Sequence, residues 1–91
     1  MNQWEIALSR ESLKFLRKNH LPETTVIEAV TSAIKKMSGE TINLDLKKLH
    51  PPYEDHFRIR NGKLRIVFKI NFEVNFVHVI EINWRGSAYR K

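Results

Sequence analysis

From His56 to Ile70, apolar and basic residues alternate almost without a break. Phe57, Ile59, Leu64, Ile66, Phe68 and Ile70 fall on one side of the pattern. Arg58, Arg60, Lys63, Arg65 and Lys69 fall on the other. A period of two sends these sets to opposite faces of a sheet. Asn61-Gly62 separates the two runs and marks a hairpin, because both central residues of a type I′ turn need positive φ. The pattern predicts strands over about 54–60 and 63–71, and another over about 74–83. The short Asn71–Asn75 connection makes the last two antiparallel neighbours.

Upstream, Trp4, Ile6 and Leu8 alternate with Glu5 and Ala7, which predicts a short first strand. Ser9 is placed to cap a helix whose apolar side is Leu13, Phe15 and Leu16 and which ends near Asn19-His20. Pro22 suits the first turn of a second helix. Val26, Ile27, Val30, Ala33, Ile34 and Met37 then recur at three- and four-residue spacing and form its apolar stripe. Gly39 marks its stop, and Lys35 and Lys36 near its end complement the helix dipole. Leu46-Lys-Lys-Leu49 reads as a short turn, and Pro51-Pro52 bars a helix beyond it. The expected fold is α+β, in the order strand, helix, helix, three strands. Its sheet is four-stranded and mostly antiparallel, with both helices on one face and the other face left for function.

Ninety-one residues suffice for one domain over 1–91 and not for two cores. The chain has no cysteine, which excludes disulfides and thiolate metal sites. No apolar run approaches the ~18 residues of a membrane span. The N-terminus lacks a signal-peptide pattern, so a soluble, cytoplasmic protein is expected. The net charge of +6 is uneven: residues 1–42 carry six cations and five anions, residues 43–91 ten and five. The excess lies in the strand-rich half, and five cations on one rigid surface point to a polyanion.

Cleaving an RNA phosphodiester needs a base for the 2′-hydroxyl, cations for the phosphorane and an acid for the leaving 5′-oxygen. Arg58, Arg60, Lys63 and Arg65 can converge on one phosphate from adjacent strands. Arg65 is the first candidate, because its planar fork can hold two oxygens. Arg85 follows the last strand at the sheet rim. Tyr89 lies near enough to act as a base beside cations, or to stack a nucleobase. His56 shares the parity of Arg58 and is a second candidate base; Lys69 and Arg90 add to the RNA-binding surface. His78 shares the parity of Ile80 and Ile82 and is expected at the core edge, and His20 and His50 are assigned no chemistry. Trp4 and Trp84 are expected to pack, although Trp84 at the strand end can also stack a base. No metal-ligand spacing or glycine-rich phosphate loop is present, so no cofactor is expected.

The ordered set Leu46-Lys-Lys-Leu49, Phe57-Arg-Ile-Arg60, Gly62-Lys-Leu-Arg-Ile-Val-Phe68, Val79-Ile-Glu-Ile-Asn-Trp-Arg85 and Ala88-Tyr-Arg90 resembles the RelE/ParE superfamily of type II toxins over nearly the whole chain. RelE-like members cut mRNA in the ribosomal A site without a metal and leave a 2′,3′-cyclic phosphate. ParE-like members poison DNA gyrase. The RelE-like site pattern carries over to Arg58 and Arg60, Arg65, Arg85 and Tyr89. Two departures stand out: the first pair is arginine where the pattern has lysine, and Tyr89 follows Arg85 at shorter spacing. Arginine cannot give up a proton at ordinary pH, which leaves the general acid open. The resemblance implies a cognate antitoxin, the ribosome and mRNA as partners, operator DNA reached only through the antitoxin, and no membrane. A gyrase inhibitor and a non-catalytic RNA-binding module are the alternatives.

Overall fold

A computed structural model describes residues 3–86 of the chain. The elements are β1 (Glu5–Leu8), α1 (Arg10–Lys18), α2 (Glu23–Met37), β2 (Asp45–Lys48), β3 (His56–Asn61), β4 (Leu64–Asn71) and β5 (Phe76–Trp84). The sheet has five strands in the order β1-β5-β4-β3-β2, one more than the sequence pattern predicts. It is mixed: β1 pairs parallel with β5, and the remaining neighbours are antiparallel.

The additional strand is β2, where a turn is expected. Leu44 and Leu46 alternate with Asp45 and Lys47, and both leucines pack against the core. Leucines at 46 and 49 carry a helical spacing as well, which hides a four-residue strand. Lys36 Nζ donates to the carbonyls of Ile42 and Leu44 at 2.9 and 3.2 Å, so α2 fixes the direction in which β2 enters the sheet edge.

Ser9 caps α1 by accepting a hydrogen bond from the Ser12 amide at 3.1 Å. Pro22 stands at the N-cap of α2, one position before the first turn expected for it. At the other end Gly39 adopts φ +105°, and the Gly39 and Glu40 amides bond the Lys36 and Lys35 carbonyls. That pair of bonds is a Schellman cap, which needs the left-handed residue that glycine supplies without a Cβ clash.

Both helices lie on one face of the sheet. Val26 and Val30 of α2 and Leu16 of α1 bury against Ile59, Ile66, Phe68, Val77 and Val79. Removing each such side chain from water contributes about 1.5–3 kcal/mol. Phe57 stacks on its cross-strand partner Phe68 at 5.8 Å. The hairpin turn is Gly62-Lys63, one residue later than Asn61-Gly62, because Asn61 pairs with Leu64. Only the first central residue, Gly62, has positive φ, at +62°, as in a type II′ turn.

A β-bulge changes the last strand. Val67 faces Glu81 while Phe68 faces Val79, which leaves Ile80 as the extra residue of β5. Parity reverses there: Val77 and Val79 are buried on the near side, Ile82 on the far side. His78 therefore shares neither face nor burial with Ile82. It is exposed, opposite Lys69, and is not a core-edge residue.

Candidate nucleic-acid interface

The sheet face away from the helices carries His56, Arg58 and Arg60 from β3, Arg65, Val67 and Lys69 from β4, and Glu81 and Asn83 from β5. Cross-strand register sets their neighbours: His56 faces Lys69, Arg58 faces Val67, and Arg60 faces Arg65, whose other neighbour is Asn83. The turn at Gly62-Lys63 thus brings Arg60 and Arg65 side by side, where a turn at Asn61-Gly62 would set Arg60 against Lys63 and Arg58 against Arg65. Like charges directly opposite each other disfavour the fold. An anion held between them reverses that sign.

Arg58 is placed differently. Its side chain is 9% exposed, and Nη1 donates to Asp45 Oδ1 at 3.0 Å. Asp45 itself is 54% exposed and sits opposite Arg60. The hydrogen bond from Arg58, with the charges of Arg58, Arg60 and Arg85, holds the Asp45 carboxyl below its ordinary value of 3.8 against a partial desolvation that acts the other way. Asp45 is thus an acidic counterweight inside the basic cluster, brought in by the strand that the sequence pattern hides.

Arg85 docks on the hairpin turn. Its amide donates to the Lys63 carbonyl at 2.7 Å, and its Nη1 to the Gly62 carbonyl at 3.2 Å. The two cations Lys63 and Arg85, with Trp84, line a shallow cleft of about 410 Å³ at this rim. Trp84 also meets Phe15 edge-on at 5.4 Å, so it both packs and presents a ring face. Trp4 packs edge-on against Phe72. Tyr89 and Arg90 lie outside the described residues.

A second cleft, of about 280 Å³, opens on the same sheet face as Arg65. Val67, Ile80 and Leu49 give it an apolar lining; Arg65 and Glu81 supply charge, and Tyr53 and His56 complete it. The His56 ring lies edge-on to Tyr53 at 5.8 Å. His56 Nδ1 is 2.8 Å from the Glu54 carbonyl oxygen. A carbonyl can only accept, so Nδ1 carries the proton and Nε2 of the neutral ring carries the lone pair. The ring shares the lining of this cleft with Arg65.

Tyr53 and Glu81 are the two polar residues of the cleft that the alternation does not select. Tyr53 sits in the loop joining β2 to β3, where no periodicity operates. Glu81 is signalled indirectly: the apolar positions run Val77, Val79, Ile80, Ile82, and the adjacent pair is the trace of the bulge. Among the described residues, no three His, Cys, Asp or Glu side chains gather into a metal-binding group, and no helix is long and apolar enough to cross a membrane.

No protein-family model and no curated protein sequence matches the chain. Solved structures do. A metal-bound toxin from Helicobacter pylori superposes with a TM-score of 0.69 at 15% identity, over 96% of this chain and 100% of that one. The DinJ-YafQ complex of E. coli gives 0.67 at 11% identity, over 97% and 100%. The RelB-RelE antitoxin–toxin complex of Methanococcus jannaschii gives 0.61 at 22% identity, over 91% and 94%. This chain accordingly shares the fold of RelE-like toxins over 91–97% of its length.

Proposed function

We propose that this chain is the toxin of a type II toxin–antitoxin pair, a metal-independent endoribonuclease that cuts mRNA in the ribosomal A site. The observation that carries the reading is Arg60 opposite Arg65 on the uncovered sheet face, with Arg65 lining the cleft that holds His56. His56 Nε2 (or the Tyr89 phenolate) takes the proton of a ribose 2′-hydroxyl. The 2′-oxygen bonds to the adjacent phosphorus as the bond from phosphorus to the 5′-oxygen breaks. A proton reaches the leaving 5′-oxygen, and the products are a 2′,3′-cyclic phosphate and a 5′-hydroxyl. Arg60 and Arg65 offset the phosphorane charge, the largest demand of such a step. Arg85, Lys63, Lys69 and Arg90 hold the flanking backbone. Arg58, engaged by Asp45, acts mainly by fixing that end of the cluster.

A cognate antitoxin covers this face and silences it, and operator DNA is reached only through that partner. Complexes of this fold with antitoxins support the partner, and the cytoplasm is where mRNA and ribosomes meet it. The test is a translation reaction with purified ribosomes and a defined mRNA, with 5′ ends mapped after the protein is added. Cuts within A-site codons that need ribosomes, and that fall by about 10²–10³ with Arg65→Ala, are expected. Intact mRNA and unimpaired translation would overturn the reading and turn attention to gyrase.

A further inference from the structure

We infer that the cleft beside Arg65 reads one base of the RNA, and that Glu81 selects guanine there. The inference rests on the endoribonuclease reading for its substrate and adds the chemistry by which that substrate is chosen. Three observations meet in it. The β-bulge sets the consecutive residues Ile80 and Glu81 both against the cleft, where a regular strand sends neighbours to opposite faces. Ile80, Val67 and Leu49 then provide an apolar bed and Tyr53 an aromatic wall, surfaces that suit the faces of a flat base rather than a phosphate. Glu81 is the one carboxylate among the residues lining the cleft, on a face otherwise rich in arginine and lysine.

A carboxylate beside an RNA backbone lowers affinity unless it accepts hydrogen bonds from the ligand. The Asn83 side-chain amide donates to Glu81 Oε2 and orients the group along the strand. A carboxylate offers acceptors only. Among the four bases, guanine alone presents two adjacent donors, N1–H and the 2-amino group, on its Watson–Crick edge. Adenine and cytosine place an acceptor next to their donor, and uracil has one donor between two acceptors. A carboxylate meets guanine with two charge-assisted bonds and leaves no lone pair facing another. Sites built around such bonds reject analogues that lack a partner.

Two measurements test this. On ribosomes programmed with mixed codons, the wild-type protein is expected to favour guanosine over adenosine by about tenfold or more at one fixed position relative to the cut. Glu81→Gln presents one acceptor and one donor, the complement of the adenine edge, and is expected to move the preference toward adenosine. Independently of cleavage, titration of the free protein with 3′-GMP, 3′-IMP and 3′-AMP, followed by amide NMR shifts, is expected to rank them in that order, since inosine keeps one of the two donors. Equal affinities, or a preference that Glu81→Gln leaves unchanged in a folded protein, would overturn the inference. Retained 3′-GMP preference without any ribosomal cleavage would instead remove the endoribonuclease reading and keep the base site. Tyr53→Ala separates stacking from selection: it should weaken all three nucleotides alike.

Discussion

Asp45 Oδ1 accepts a hydrogen bond from Arg58 Nη1 at 3.0 Å, across the pairing of the two strands farthest from β1. This contact satisfies a nearly buried arginine with a half-exposed carboxylate, so the partner that depends on it most is Arg58. Because the folded state lowers the Asp45 pKa, the stabilisation is present above the unfolded value near 3.8 and is lost as pH falls through the lower folded value. The wild type is therefore expected to melt above Asp45→Asn at about pH 6, with the gap narrowing as pH falls below 3.8. Paired thermal melts across that range check it, and a gap independent of pH would contradict it.

Ser9 joins the start of α1 to the bulge. Its hydroxyl accepts from the Ser12 amide and donates to the Ile80 carbonyl at 2.7 Å, while its own amide donates to Val79. Ser9→Ala removes the cap and leaves a carbonyl at the bulge without its donor. A loss of about 1–2 kcal/mol is expected, or roughly 4–8 °C of melting temperature per kcal/mol for a chain this size. Ser9→Thr should recover most of it, and chemical denaturation of the three proteins decides.

Gly62 holds φ +62° in the hairpin turn, and a Cβ there meets nothing within 4 Å. The cost of Gly62→Ala is therefore conformational and not steric, about 1 kcal/mol. Gly62→Asn should cost less, because asparagine tolerates the left-handed region. Equal stabilities for the wild type and both variants would show that the turn relaxes to another type.

Arg60 and Arg65 are expected to touch RNA phosphate directly. Each change to alanine should reduce the slope of log affinity against log salt by about 0.7 for every phosphate no longer neutralised, measured on a short single-stranded RNA. Arg58→Ala should leave the slope nearly unchanged while lowering stability, because its charge is already met by Asp45.

The alternation from Phe57 to Ile70 by itself determined the hairpin and the division of its residues between core and open face, whereas the turn's one-residue shift decided that Arg60 meets Arg65. The apolar stripe from Val26 to Met37 determined α2, and Ser9 the start of α1. These are local properties, since side-chain period and capping chemistry act over a few residues. Tertiary structure decided the rest. Whether Asp45–Lys48 is a strand depends on an edge of β3 standing ready to pair with it. The parallel pairing of β1 with β5 joins segments some seventy residues apart, which no local pattern encodes. The bulge at Ile80 turned His78 outward and brought Glu81 to the cleft, and Asp45 entered the basic cluster from a different strand. Sequence periodicity fixes which face a side chain takes within its own element, whereas its neighbours across the sheet are fixed by register and strand order, which form only when the whole chain packs.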